Sequence, residues 1–398
     1  MAANSDPPAL ALPPVPPPAP ATFPRRDRVV AALFGLALAV PLLALTFTWS
    51  RTMTLFEKRA MAPWPAFELA TSFPPAFERA FADRFGGRDV LIRLHHASLI
   101  RFFGVSALAT VMPGRDGWYY WLGEDGLALD RHYRGVAPFP QEHVDGTAAE
   151  LVRRRDWLAA RNIAFVVAVV PEKFTIYPEN LPAWVAKSAQ PSPYDRVVAA
   201  LRDSGVVLID LRPALRAAKL RDRVYYMTDS HWNFNGAVTG YAAMMREVQR
   251  VLPLGSLPEV ARAPRPSFVP GVDFYSGDLA IMLGLPRRIR EDDVAPLGKV
   301  LADAARRCAK RVDGGTSPGS EFYECDHARL PRAVIYHDSM AIPLIPLLAE
   351  NFARVVFVSS HRMDAALIER ESPDIVIEEL VERTLHEPGA LPMKIAGQ

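Results

Sequence analysis

The densest run of reactive residue types in the chain is Tyr225-Tyr-Met-Thr-Asp229-Ser-His231-Trp-Asn-Phe-Asn-Gly236. Histidine is the usual general base near neutral pH, and its ring needs an acceptor on the far nitrogen to fix the tautomer and stabilise the imidazolium. Asp229 and His231 stand two residues apart, so in extended backbone both side chains point the same way. Such a pair lacks only a nucleophile. Ser339, in His337-Asp-Ser339-Met340, follows a short apolar run and precedes a segment suited to a helix from about Ile342. A serine at a strand-to-helix turn presents its hydroxyl at the rim of a sheet, where helix N-terminal amides can stabilise an oxyanion. The local sequence is not G-x-S-x-G, and a serine there can equally cap its helix. Asp229 can likewise cap the helix that begins near Asn235. Asp-x-His can also supply two metal ligands, but no third or fourth ligand stands at a suitable spacing, so no metal is expected. Trp232 reads as packing, and Asn233 as an oxyanion donor or a brace for its loop.

The elements that must position these residues begin near residue 141. Residues 142–161 are amphipathic, and 163–170 form a continuous apolar run rich in β-branched side chains. A helix is expected over 194–204, then strands at 206–210, 333–336, 355–358 and 375–377, with helices before or between them. Short apolar strands alternating with helices indicate an α/β fold with a parallel sheet covered on both faces. Such sheets place ligands at the carboxyl ends of their strands. Those ends deliver Pro171-Glu-Lys173, Asp210-Leu-Arg212, His337-Asp-Ser339 and Ser359-Ser-His361. Lys173, Tyr177, Arg212 and Asn233 are therefore candidates for the substrate rim. Between about 252 and 330 the alternation breaks into a Pro- and Gly-rich stretch, read as an insertion that shapes a wall or lid.

Ahead of this catalytic region (141–398), residues 50–140 read as a connecting region that packs onto it. Helical spacing runs over 77–85 and 90–103, and Gly114-Arg-Asp-Gly117 makes a turn into the aromatic strand Trp118-Tyr-Tyr-Trp121. The first 28 residues are a Pro/Ala-rich tail that cannot form a core. Arg25, Arg26 and Arg28 precede a charge-free run from Val29 to Phe47, long enough for a bilayer core of about 30 Å. The positive-inside rule keeps that basic end in the cytoplasm and exports everything after residue 49. An uncleaved single-pass anchor over 29–49 is expected rather than a signal peptide, because the run continues into Thr48-Trp-Ser50 without a small-x-small site. The 46 basic and 44 acidic residues give a net charge of +2, too balanced for a nucleic-acid partner. Cys308 and Cys325 are the only cysteines; in an oxidising compartment they can close a modest disulfide.

The T-D-S-H-W-N-F-N-G-A block and the D-S pair at a strand end together resemble the alginate O-acetyltransferase family, periplasmic relatives of the SGNH hydrolases. Arg59-Ala-Met-Ala-Pro-Trp-Pro65, Gly114-Arg-Asp-Gly-Trp118, Pro171-Glu-Lys173 with Tyr177-Pro178, Ser276-Gly-Asp-Leu279 and the segment from Pro373 to Arg383 resemble further family elements in the same order. The resemblance implies an SGNH-like three-layer α/β/α sandwich. It places the triad on Asp229, His231 and Ser339, with no cofactor. It implies acetyl transfer through the serine onto hydroxyls of an exported polysaccharide, with a multi-pass membrane acyltransferase supplying the acetyl group. Two positions depart from the family pattern: His337 stands where a glycine is usual, and Met340 where an aromatic is. The same triad would serve a carbohydrate acetylesterase, and a non-catalytic scaffold of an export complex is the reading from another class.

Overall fold

The computed structural model describes residues 24–48, 60–67, 71–137, 139–252, 277–285, 309–313, 319–326, 329–386 and 393–394. The chain divides into two compact units, residues 1–90 and 91–398; the boundary falls inside the stretch 50–140.

In the first unit, helix α1 (Arg25–Thr48) is the candidate membrane span by length and composition. Its apolar side chains are exposed, as Leu33, Phe34 and Leu43 show, and Pro41 lies inside it. Helix α2 (Phe73–Arg84) stacks Phe73, Phe77 and Phe81 at i, i+4 spacing. Helix α3 (Arg88–Ser98) contains the boundary between the units.

The second unit opens with a hairpin, β1 (Val111–Pro113) and β2 (Tyr119–Trp121). Its turn needs left-handed backbone at both Asp116 (φ 54°) and Gly117 (φ 81°), which explains the Asp-Gly pair at that place. The main sheet then gathers β3 (Ala164–Val170), β4 (Val207–Asp210), β5 (Lys310–Val312), β6 (Ser320–Glu324), β7 (Arg332–Tyr336), β8 (Arg354–Val358) and β10 (Ile375–Val381). The two-residue strand β9 (Met363–Asp364) pairs separately with Met393–Lys394.

The strand order is β4-β3-β10-β7-β8-β6-β5. The first five run parallel, and β10 lies between β3 and β7, with Ile375 opposite Ala164 and Ala333. Alternate residues of β3 go to different cores. Phe165, Val167 and Val169 pack with α4 (Gln141–Ala159) and α6 (Pro193–Leu201); Val166, Ala168 and Val170 pack with α7 (Arg212–Lys219) and α8 (Phe234–Val251). A sheet buried on both faces needs apolar residues at every position, which is what the strand supplies. The fold is the expected α/β/α sandwich.

Two features differ from expectation. The sheet is mixed, because β6 and β5 extend its edge antiparallel. They lie within 252–330 and carry Lys310, Arg311, Glu321 and Glu324 among few apolar residues, which suits an edge and hides the strand signal. The central strand β10 also runs four residues past Ile377, through Glu378 and Glu379. Both glutamates are buried, and Glu378 is paired with Arg154 and His361.

Candidate active site

The Asp-x-His segment is a pinched loop. Tyr225 and Trp232 face each other across an isolated antiparallel bridge, and the Tyr226 amide donates to the His231 carbonyl at 3.3 Å. Backbone carbonyls turned inward by so tight a loop need donors. Lys173, at the start of the short helix α5 (Lys173–Ile176), supplies them: its Nζ donates to the carbonyls of Tyr226 (3.1 Å), Met227 (3.1 Å) and Asp229 (2.6 Å).

Helix α9 (Asp278–Met282) closes the loop from another side. A Cβ at Gly277 would lie 2.2–2.3 Å from backbone atoms of Thr228 and Asp229, so this close approach requires glycine. The Asp278 amide donates to Asp229 Oδ2 at 3.0 Å. The Asp278 carboxylate accepts from the Ser230 amide at 2.7 Å and from Ser230 Oγ at 2.6 Å.

Asp229 is 2 % exposed, and its Oδ1 accepts from both the backbone amide of His231 (2.9 Å) and Nδ1 of its ring (2.6 Å). That carboxylate fixes Nδ1 as the protonated nitrogen. Nε2 is then an acceptor, and it lies 2.9 Å from Ser339 Oγ. Burial pushes the imidazole toward its neutral form, but the hydrogen bond and charge of Asp229, with Asp278 and Asp338 behind, outweigh it and raise the His231 pKa above its ordinary value.

Ser339 is exposed at the end of β7, ahead of a 3-10 turn over Ile342–Leu344 and helix α10 (Ile345–Ala349). Asp338 shapes this turn: its Oδ1 accepts from the Met340 amide (2.8 Å) and its Oδ2 from the Val381 amide at the end of β10 (2.7 Å). The two halves of the site are tied by Trp232, whose Nε1 donates to the Met340 carbonyl at 3.0 Å. Both departures from the family pattern are buried. His337 donates Nδ1 to the Asp338 carbonyl (2.8 Å) and lies edge-on to Phe357, while Met340 fills the core.

Thus Asp229, His231 and Ser339 are brought into one hydrogen-bonded line. The rim candidates are distributed differently. Lys173 lies behind the loop rather than on a rim. Tyr177 is buried, accepting from the Val224 amide at 2.9 Å. Asn233 caps α8, accepting from the Gly236 amide (3.1 Å) and donating to the Arg223 carbonyl (2.7 Å). Arg212 stands apart, bonded to Asp210 and Asp195 and stacked on Tyr194 at 3.9 Å. It lines a cavity of about 610 Å³ with Tyr133, Arg216 and Lys219. Cys325 is disulfide-bonded, and Cys308 lies outside the described residues.

Asp278 is the residue that sequence spacing missed. With Asp229 and His231 it places three potential metal-ligand atoms within 4.8 Å of one another. Those atoms are engaged, however: His231 Nδ1 with Asp229, and both Asp278 oxygens with Ser230. The cluster is built as a hydrogen-bond network, and a cation would have to displace it.

Comparison with known proteins bears on the same region. Residues 111–304 match the model of the SGNH hydrolase-like domain of the acetyltransferase AlgX. The chain is 25% identical over 295 residues to the probable alginate O-acetylase AlgJ of Pseudomonas aeruginosa, covering 73% of this chain and 68% of that one. It is 30% identical over 176 residues to the Pseudomonas putida protein of the same name, covering 44% of this chain and 42% of that one. Among solved structures, Bacillus cereus PatB1 with a sulfonyl adduct superposes with a TM-score of 0.50 at 16% identity, covering 70% of this chain and 96% of that one. The O-acetyltransferase domain of Pseudomonas putida AlgJ superposes with a TM-score of 0.45 at 20% identity, covering 69% and 91%.

Proposed function

We propose, from the match of residues 111–304 to the SGNH hydrolase-like domain of the acetyltransferase AlgX and the similarity to the probable alginate O-acetylase AlgJ, that the chain is a polysaccharide O-acetyltransferase working through Ser339. The observation that carries the reading is the unbroken line Asp229–His231–Ser339, at 2.6 and 2.9 Å, at the carboxyl edge of the sheet.

Ser339 Oγ attacks the acetyl carbonyl while His231 Nε2 takes its proton, and Asp229 stabilises the imidazolium that forms. Collapse of the tetrahedral intermediate expels the donor's leaving group, which receives the proton, and leaves acetyl-Ser339. A sugar hydroxyl then gives its proton to His231 and attacks the acetyl-serine. Collapse of that second intermediate releases the acetylated sugar and returns the proton to Ser339. The Ser339 amide, at the mouth of the 3-10 turn, is the donor we assign to the oxyanion. Ser339 is exposed, which suits a bulky acceptor. It also lets water in when no acceptor is bound, so acetylesterase activity is the second reading.

The proposal extends to the setting. Helix α1 anchors the chain in the inner membrane with Arg25, Arg26 and Arg28 on the cytoplasmic side, so residues after 49 face the periplasm. A multi-pass membrane acyltransferase supplies the acetyl group, and an exported polysaccharide of the alginate kind is the acceptor.

The test is to incubate the full chain with an acetyl ester and an oligosaccharide and follow both products by mass spectrometry. Acetylated sugar lost in Ser339→Ala supports the transferase. Free acetate alone, with acceptor present, replaces transfer with hydrolysis, and a Ser339→Ala protein as active as the parent removes the triad.

A further inference from the structure

Behind the nucleophile turn, four charged or titratable side chains from four segments are joined, and the acyl-transfer steps above leave them unused. Arg154 of α4 and Glu378 of β10 are both fully buried and meet at 2.7 Å. Arg154 also donates to the carbonyl of His361 at 2.8 Å and to Glu150 at 3.2 Å. His361, just past the end of β8, places Nδ1 2.7 Å from the other oxygen of Glu378. Its backbone and its ring are therefore both held, and Nε2 is left 3.8 Å from Asp338 Oδ2. That is too long for a hydrogen bond and within range of an ion pair.

The charges around the turn fall into pairs. Arg154 and Glu378 balance each other. Asp338 is ionised, because the charge of His361 and the hydrogen bonds of the Met340 and Val381 amides outweigh its burial and bring its pKa below the ordinary value. Beside it, burial pushes His337 toward its neutral form, and burial with the charge of Asp338 pushes Glu379, on the other face of β10 from Glu378, toward its protonated form. Among the described residues, His361 is thus the cation paired with Asp338, whose charge His231 also feels. Burial disfavours its charge, but Asp338 and Glu378 overcome that and bring its pKa up to about 9.

Asp338 holds the amide of Met340 and anchors the turn to β10, so its carboxylate sits inside the turn whose Ser339 amide is assigned to the oxyanion. A bare carboxylate there opposes the negative charge that develops during attack. We propose that His361, fixed by Glu378 and Arg154, is a positioning residue for the nucleophile, its imidazolium serving as the counter-charge that lets Asp338 shape the Ser339 turn without repelling the oxyanion. The inference rests on the reading of Ser339 as nucleophile but not on the identity of donor or acceptor.

The experiment uses the full chain in detergent and phenylmethylsulfonyl fluoride, with sulfonylation of Ser339 followed by mass spectrometry across pH 6–10. Ser339 Oγ bonds to sulfur, fluoride leaves, and the serine proton passes to His231. The wild-type labelling rate is expected to fall on the alkaline side near pH 9, as His361 loses its proton. His361→Gln is expected to label about tenfold more slowly at neutral pH and to lack that alkaline limb. In an Asp338→Asn background the same change should cost little, because the charge to be answered is gone. A wild-type profile without an alkaline limb, a His361→Gln rate equal to the parent's, or additive effects in the double variant overturns the inference. The wild-type profile judges it even where a variant fails to fold. A wild type never labelled at Ser339 removes the nucleophile reading itself, and that outcome is distinct from a labelled protein indifferent to His361.

Discussion

The base loop and the nucleophile turn reach the same 2.9 Å contact by opposite means. The turn that carries Ser339 grows directly from β7, and one carboxylate, Asp338, ties it to the next strand. The Asp229–His231 loop has no such inheritance. Its carbonyls are collected by one buried ammonium, its far side is closed by Gly277 and Asp278 from a distant segment, and its exit is pinned by Trp232. The nucleophile is positioned by the sheet, whereas the base is positioned by cross-bracing. Damage to the first should alter chemistry with little effect on folding, and damage to the second should alter both.

The largest effects test the shared contact. Ser339→Ala should lower acetyl transfer by about 10⁵-fold or more while leaving the melting temperature within about 2 °C, since the side chain is exposed. Asp229→Asn, which removes the acceptor that sets the His231 tautomer, should lower kcat by roughly 10⁴-fold. Progress curves with an acetyl ester donor, beside thermal melts, separate the two quantities. A Ser339→Ala protein that unfolds would break the contrast, because the turn would then be structural.

Lys173→Met asks the opposite question. It removes one donor from each of three inward carbonyls, of which that of Met227 keeps the Tyr119 amide at 2.9 Å, so stability should drop by about 3 kcal/mol and transfer should fall with it. Urea unfolding followed by tryptophan fluorescence reads the stability. A variant as stable as the parent would mean that the loop holds itself. Trp232→Phe is milder: it keeps the packing but loses the bond to Met340, worth about 1 kcal/mol. Roughly a fivefold fall in kcat, with a smaller change in KM, is expected if that bond sets the distance from His231 to Ser339.

The same contrast governs what the sequence reveals. The apolar runs that become β3, β7 and β8, with their polar ends, are legible because a doubly covered parallel strand demands them, so Ser339 can be located from pattern. Asp229 and His231 are only two residues apart and chemically distinctive, and the surrounding block resembles a known family. The braces carry no such signal. Lys173 at a strand end looks like a rim cation because nothing in its neighbourhood reveals three carbonyls 53 to 56 residues away. Glu378 and Glu379 look like the end of a strand, since their burial depends on partners such as Arg154 and His361 in other segments. The antiparallel edge β5–β6 is masked by its charges. Local periodicity shows which elements form; compensation between distant polar groups is invisible until the chain is folded.

Asp278 offers the finest test, because it belongs to the braces yet acts on the chemistry. Its Oδ2 lies 3.7 Å from His231 Nδ1, and its negative charge is among the causes that raise the imidazole's pKa. His231 must be neutral to take the serine proton, so activity rises with pH as the imidazolium loses its proton. The acid limb of kcat/KM should therefore lie above the ordinary histidine range. Asp278→Asn removes a carboxylate that favours the imidazolium, which lowers the His231 pKa and moves the limb toward lower pH. The asparagine oxygen can still accept from Ser230, so the plateau at higher pH should change only a few-fold. A limb that stays in place would assign Asp278 a purely mechanical role. A limb that moves while the plateau holds would show that the distant brace also tunes the base it supports.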